Sequence, residues 1–507
     1  MAHSSLFCYR FPSLSASLYK PAGAPPKPPL LVWVYLAAGN KTDWAIYIVP
    51  EETMSVGDVP IESRPQPSQL YRWLVLIFVS LAMFGNYYIY DSINPLERIF
   101  LEQLGFSASM FGWLNASYSV AAVATLLIGG VLIDRFGIRK SLMLFSILIL
   151  LGAILTALKG SFYTMVAGRT LVGLGAESQI VAVTTALARW FKGKELSFAF
   201  GINLTIARMA SIAADNSPTW AKFAFFPNGV NAPPSWHRPL LLAVAVGSTA
   251  VIGAAVYWAL ETYADTRYHL GKSGEPDKLS FAEGLKFNPS YWYVVALCFT
   301  FYSGIFPFRT FAIDLFTSKI LSQMGAAANS TASFASAQQL AGSLNSILPA
   351  SAMVATPLFG LLADKIGKRA TLMVLGSFLM MPVYLMIAYS NISLLVPVSL
   401  MGIAFSLIPA VMWPSVAYIV NEHRLGTAYA LMSLMQQIGF FIFNLAIGKA
   451  NDIGHAGPDN FHGYALGMWL FSVLGFLALF FALLLRARET GPQAHGLETI
   501  TTATGAV

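Results

Sequence analysis

The chain has 507 residues, of which 11% are charged and 56% apolar, and its formal net charge is +7; ordinary globular proteins carry about 25% charged residues. With a mean hydropathy of +0.62, a soluble globular chain, a disordered chain and a collagen-like one are all excluded. A roughly 30 Å hydrocarbon layer takes about 20 apolar residues per crossing helix, so the length fits a twelve-helix carrier.

Residues 1–70 are rich in Pro, Ser and Ala, and Pro21, Pro25, Pro26, Pro28 and Pro29 break any helix, so a disordered N-terminal tail is expected. The apolar stretch from Leu30 to Ala38 is too short to span. Met54 opens a polar leader directly before the first strong apolar span. Residues 1–53 are therefore expected to stem from an upstream start and to hold no site.

Apolar runs bounded by Gly, Pro or charge predict spans at about 73–91, 109–133, 141–159, 163–188, 196–220 and 239–261. They resume at about 291–318, 338–363, 370–390, 393–420, 427–449 and 463–486. The expected architecture is an all-α membrane protein with twelve transmembrane helices in two six-helix pseudo-symmetric bundles. Residues 71–261 form the first bundle and 291–487 the second. Between them a cytoplasmic linker, 262–290, holds Asp265, Arg267, Lys272, Glu275, Asp277, Lys278, Glu283 and Lys286 and must lie in water. Residues 488–507 form a disordered C-terminal tail. Cys8 and Cys298 stand far apart and offer neither a disulfide framework nor a metal cluster.

With the tail placed in the cytoplasm, the loops of that side carry Arg64, Arg72, Arg135, Arg139, Lys140, Arg189, Lys192, Lys194, Arg267, Lys272, Lys278, Lys286, Lys365, Lys368, Arg369, Arg424, Arg486 and Arg488. The opposite loops carry only Arg98, Lys159, Lys222, Arg238, Lys319 and Lys449. That asymmetry satisfies the positive-inside rule and accounts for the net charge without any nucleic acid.

An internal repeat supports duplicated halves. Gly130-Val131-Leu132-Ile133-Asp134-Arg135-Phe136-Gly137-Ile138-Arg139 recurs as Gly360-Leu361-Leu362-Ala363-Asp364-Lys365-Ile366-Gly367-Lys368-Arg369, each copy ending the second helix of a half. In this the sequence resembles the major facilitator superfamily, whose members have two six-helix halves and this turn between helices 2 and 3. Glycine there lets helices approach, and the aspartate can accept from the N-terminal amides of a facing helix. Asp134, Arg135, Arg139, Asp364 and Arg369 are expected to form gates on the cytoplasmic seam or to fix topology, and to stay clear of substrate.

Charges at membrane depth are costly unless paired or wet, which makes each a functional candidate. Arg169 and Glu177 fall in helix 4, Arg208 and Asp215 in helix 5, Arg309 and Asp314 in helix 7, and Asp91 at the end of helix 1. At 1.5 Å rise per residue, Glu177 and Arg208 both lie roughly 15 to 18 Å deep, where they can face one another. Two compatible readings stay open: a mutually neutralising ion pair, or a carboxylate and a guanidinium that receive opposite ends of a zwitterion. Arg169 reads as a structural donor to carbonyls and Asp91 as an interfacial residue.

The neighbourhood narrows the resemblance. Gly173-Leu174-Gly175-Ala176-Glu177-Ser178, Trp190-Phe191-Lys192-Gly193-Lys194-Glu195-Leu196 and Ala207-Arg208-Met209 are similar to the lysosomal dipeptide-uniporter branch of the superfamily. Phe306-Pro307-Phe308, Trp413-Pro414 and Glu422-His423-Arg424-Leu425-Gly426-Thr427-Ala428-Tyr429 agree in the second half, so the likeness covers about 71–490. It implies that Glu177 and Arg208 hold the two termini of a dipeptide. The branch's second glycine is Ala176 here and its proline before E-H is Asn421; neither change removes a charge. The E-x-x-E-R string of proton-coupled peptide carriers is absent from helix 1, which ends Tyr87-Tyr88-Ile89-Tyr90-Asp91.

The resemblance places helices 1, 2, 7 and 10 around the cavity, which makes Tyr87, Tyr90, Tyr118, Tyr302, Phe306 and Trp413 pocket candidates, with Asn203 added from helix 5. Pro307 and Pro414 break helical hydrogen bonds near Tyr302 and Trp413 and mark hinges. Glu422, His423 and Arg424 read as gate contacts. The expectation is a dipeptide transporter working by alternating access; the rivals are a proton-coupled organic-anion carrier and a transport-dead receptor or scaffold. No H-E-x-x-H, G-x-S-x-G or Walker-type string points to an enzyme, and no cofactor, metal or nucleic acid is implied. The expected partners are a small-molecule substrate and the bilayer. A monomer is expected, and the branch's accessory subunit enters only through the resemblance. The tail shows no acidic dileucine string, so the cell membrane is favoured over the lysosome.

Overall fold

The computed structural model describes residues 30–38, 41–49, 65–191, 195–268, 286–325 and 330–501. Contacts divide the chain into two units, Met1–Ser68 with Thr262–Leu270, and Gln69–Glu261 with Gly271–Val507. In the first, β1 (Leu30–Ala38) pairs antiparallel with β2 (Lys41–Val49), in register from Leu30 opposite Val49 to Ala38 opposite Lys41. The expectation of a tail without regular structure missed this hairpin. Trp33, Val34, Tyr35, Trp44, Ile46, Tyr47 and Ile48 favour a pleated strand, and the prolines stand before the hairpin at positions 21–29 and not within it. Residues 1–29 and 50–64 lie outside the described residues.

The second unit is helical. Its first half runs α1 (Gln69–Asp91), α2 (Glu97–Leu104), α3 (Ala108–Phe136), α4 (Ile138–Leu158), α5 (Phe162–Phe191), α6 (Leu196–Asp215), the single-turn α7 (Ser217–Trp220) and α8 (Lys222–Phe225), and α9 (His237–Arg267). Its second half runs α10 (Pro289–Met324), α11 (Thr331–Asn345), α12 (Ile347–Ile366), α13 (Arg369–Met380), α14 (Val383–Tyr389), α15 (Leu395–Ile419), α16 (Leu425–Ile453) and α17 (Ala465–Glu489). Among the described residues, eleven helical segments are long and apolar enough to cross a membrane, and α3, bent by 53° between Leu126 and Ile128, brings the total to twelve. The bundle thus has the expected number of spans, with broken helices where single runs were expected. The eighth span is α11 plus α12 and the ninth α13 plus α14, the latter broken at Met381-Pro382 because proline cannot donate into the ladder. Most of the linker, 269–285, lies outside the described residues. Glu261, the last residue of the span expected at 239–261, is fully buried against Arg189.

The halves meet along two seams, α3 against α16 and α6 against α12. Gly448 on α16 lets the α3 N-terminus come so close that a side chain there would press on the Ala108 carbonyl. The same approach lets Asp452 cap α3: its carboxylate accepts from the backbone N–H of Ala108 at 2.8 Å and of Ser109 at 2.9 Å. A carboxylate at a helix N-terminus satisfies orphan donors and complements the dipole.

Ion pairs close the same end. Arg309 on α10 lies 2.9 Å from Asp215 on α6 and 3.5 Å from Asp91 on α1. Arg98 on α2 makes a two-pronged bond to Asp314 on α10, at 2.8 and 2.9 Å, and donates to the Tyr464 hydroxyl. Gln338 on α11 donates to the Pro95 carbonyl at 2.7 Å. Asp91, read as interfacial, is instead 2% exposed within this network. The end away from the basic turns is therefore sealed by bonds between the halves. Removing one partner of a buried pair costs about 3–5 kcal/mol because the other charge stays buried. Arg309→Met, which strands Asp91 and Asp215, should lower the unfolding free energy by about that much and so lower the Tm in detergent; an unchanged Tm would show that the network does not hold the halves.

Candidate functional site

A cavity of about 120 Å³ lies at mid-depth, lined from the first half by Asn86, Tyr87, Tyr90, Tyr118, Glu177 and Ile180, and from the second by Phe306, Ser433, Gln436, Gln437 and Phe440. Five residues expected in the pocket, Tyr87, Tyr90, Tyr118, Glu177 and Phe306, thus meet in one place. Glu177 Oε1 accepts from the Tyr118 hydroxyl at 3.2 Å and from Gln437 Nε2 at 2.9 Å. Its Oε2 takes no bond among the described residues.

Arg208 does not pair with Glu177. Its guanidinium lies over the Tyr87 ring at 5.8 Å and the Phe405 ring at 5.6 Å, and its buried Nε has no partner among the described residues. Tyr87 is thus shared between the lining of the cavity and the seat of Arg208. The mutual ion pair is replaced by a carboxylate held on neutral donors and a cation held on aromatic faces. Asn203, on the same helix as Arg208, is buried, its Oδ1 has no partner among the described residues, and it lies outside the cavity lining.

Tyr302 and Trp413 lie behind the lining. Trp413 Nε1 donates to the Tyr302 hydroxyl at 2.8 Å, Tyr302 stacks on Phe306 at 5.8 Å, and Phe306 contacts Phe440 at 4.8 Å. Pro307, Pro409 and Pro414 stand inside α10 and α15 beside this cluster. Arg169, 1% exposed, donates to the Ile89 carbonyl and to Asn115 Oδ1, both at 3.2 Å, between the Tyr90 and Tyr118 rings. It braces α5 against α1 and α3 behind Glu177.

Charge-based reading missed Asn86, Ser433, Gln436 and Gln437. The signal was there: Ser433, Gln436 and Gln437 fall at i, i+3 and i+4 on an apolar span, which puts three polar side chains on one helix face.

The paired turns sit at the other end of the spans. Gly137 and Gly367 have φ of +79° and +67°, a conformation glycine adopts without strain, whereas Gly130 and Gly360 approach nothing. Asp364 accepts from Arg369 Nη2 at 2.7 Å within its own turn, while Asp134 and Arg135 are exposed and Arg135 lies over the Phe136 ring. Helix approach and aspartate capping of a facing helix, the roles expected of this motif, are absent from these turns among the described residues. Arg139 is half-buried at the start of α4. Glu422, His423 and Arg424 form an exposed 3-10 turn before α16. Lys192, Gly193 and Lys194 lie outside the described residues.

The C-terminal segment differs from the disordered tail expected over 488–507. Through Thr501 it folds back onto the second turn: Arg369 N donates to the Leu497 carbonyl, Arg369 Nη1 to the Ile500 carbonyl at 2.8 Å, and Glu498 accepts from Thr371 N and Oγ1 at 2.7 Å. Leu497 is fully buried.

Two helical halves sealed at one end around a polar cavity at mid-depth define the architecture of a membrane carrier. The Major Facilitator Superfamily model matches residues 76–337 and 310–503, and the chain belongs to that family. It is 32% identical over 391 residues to the lysosomal dipeptide transporter MFSD1 of Danio rerio, covering 76% of this chain and 81% of that protein. To the protein of the same name from Homo sapiens it is 31% identical over 399 residues, covering 76% and 81%. Among solved structures, the nucleoside transporter NupG aligns with a TM-score of 0.59 at 14% identity, over 82% of this chain and 98% of that one, a likeness of fold alone. The protein is thus a multi-pass membrane transporter.

A carboxylate on the first amides of a helix is worth about 1 kcal/mol. Glu498→Ala should therefore destabilise the protein by about that much in a denaturation measurement; no change would show that the folded-back segment does not brace the turn.

Proposed function

We propose that this protein carries dipeptides across the membrane by alternating access, with Glu177 receiving the substrate ammonium and Arg208 its carboxylate. The supporting observation is that these two opposite charges flank Tyr87 without spending themselves on each other. Glu177 keeps Oε2 unbonded, and Arg208 makes ring contacts and no carboxylate bond among the described residues. A zwitterion bridging them neutralises both, and the guanidinium takes a carboxylate in two parallel bonds. The names of the relatives lend the substrate class. Those relatives are lysosomal by name. Asn86, Gln436 and the tyrosines give side chains between the termini polar and aromatic walls, which favours tolerance among dipeptides.

The sealed end is the one opposite the basic turns, which charge asymmetry assigns to the cytoplasm. At the basic end Asp364 bonds within its own turn, which fits a carrier that exchanges substrate with the cytoplasm. For the carrier to face the other side, the Arg309 and Arg98 pairs must separate and the Asp364 and Asp134 turns must come together across the basic seam. Arg208 is also the group on which a proton-coupled organic-anion carrier would depend, because its guanidinium lacks an acidic partner among the described residues. In that reading Glu177 cycles a proton, and flux follows an imposed pH gradient while ignoring dipeptides.

Truncating one side of a buried charged contact costs about 2 kcal/mol or more, roughly 30-fold in affinity. In liposomes, Glu177→Gln and Arg208→Ala should each cut dipeptide flux and raise the half-saturating concentration by about that factor. Undiminished flux in both variants would refute the assignment.

A further inference from the structure

Gln437 belongs to α16 in the second half, yet its Nε2 donates at 2.9 Å to Oε1 of Glu177 on α5 in the first half. The side chain is 5% exposed, and its own Oε1 has no partner among the described residues. The ion pairs and hydrogen bonds described above between the halves lie at the sealed end. This one lies at cavity depth, on the carboxylate read above as the ammonium acceptor. An amide N–H on a carboxylate offers what an ammonium N–H offers, a donor at bonding distance, without the charge.

A carrier that delivers its ligand must return empty, and on the way both ends close over the site. A carboxylate enclosed without donors is unfavourable, more so at membrane depth, while one bonded by neutral donors is much less so. The loaded carrier meets this need with the ligand's ammonium. The empty one has only its own side chains, and those on Glu177 are Tyr118, from the same half, and Gln437, from the other. Tyr118 stays with Glu177 however the halves move. Gln437 reaches it only when the halves come together at this depth.

We propose that Gln437 is the positioning residue for the empty return. Its amide takes the place of the substrate ammonium on Glu177 Oε1, so that the vacant site closes with its carboxylate bonded, and it yields when a ligand arrives. This rests on the reading of Glu177 as the ammonium acceptor. It separates two fluxes that an ordinary binding residue keeps together. Net uptake requires the empty return and therefore Gln437, while exchange, in which the carrier is loaded in both directions, does not.

The test uses the full chain in liposomes with one labelled dipeptide, measured as net uptake into empty vesicles and as exchange against unlabelled dipeptide inside. Gln437→Met keeps the length of the side chain and removes the donor. Net uptake should fall by about tenfold or more, the scale of a lost hydrogen bond to a charged group, and exchange should fall by several-fold less than net uptake. Parallel loss of both fluxes in a variant that dipeptide still stabilises against heat would overturn the proposal, as would two unchanged fluxes. If Gln437→Met does not fold, Gln437→Asn, whose shorter amide falls short of Glu177, must show the same split; equal fluxes there overturn it. A wild-type protein without dipeptide flux in either format sinks the functional reading and this inference together. Wild-type flux with parallel loss in the variant sinks only the role of Gln437.

Discussion

An ionised side chain in the hydrocarbon layer is stable only where donors, acceptors or an opposite charge surround it, and this chain meets that requirement in two ways. At the sealed end, Arg309 and Arg98 are bonded to Asp91, Asp215 and Asp314, each bond joining one half to the other. At mid-depth, Glu177 and Arg208 are held by tyrosines, an amide and a phenylalanine ring instead. The first arrangement leaves little for a ligand to gain. The second leaves both charges able to gain from one.

The two arrangements depend on each other. The helices that carry the sealing pairs, α1, α6 and α10, also carry Tyr87, Arg208 and Phe306, so separating the pairs moves the walls of the cavity. The seam of α3 and α16 behaves alike, with the Asp452 cap at its sealed end and Gln437 facing Glu177 further along. At the opposite end Arg369 is occupied by Asp364 and by the folded-back C-terminal segment, which fits a turn that is not engaged across the seam.

Twelve spans and duplicated halves were legible because hydropathy and a repeat at a fixed offset are local or periodic signals. The charged residues of the network were also visible singly, but their pairing was not: Arg98 and Asp314 lie 216 positions apart, and nothing local says which acid an arginine will meet. Asp91 read as interfacial because it ends an apolar run, while the chain carries on through α2 and buries it. Gln437 escaped because a neutral amide raises no alarm among charges, although its cost at membrane depth is of the same kind. The hairpin and the folded-back tail were hidden by composition, proline around one and small polar residues around the other. Of the two readings open for Glu177 and Arg208, the ion pair assumed that opposite charges at equal depth meet; aromatic faces offered the guanidinium another seat.

The central claim is that one ligand bridges Glu177 and Arg208 through its two termini. Thermal stabilisation reads it most directly, because a ligand that binds the native state raises its Tm by mass action. The purified protein should be stabilised by a free dipeptide and by neither its N-acetylated nor its C-amidated form at the same concentration. Equal stabilisation by the blocked forms would contradict the account.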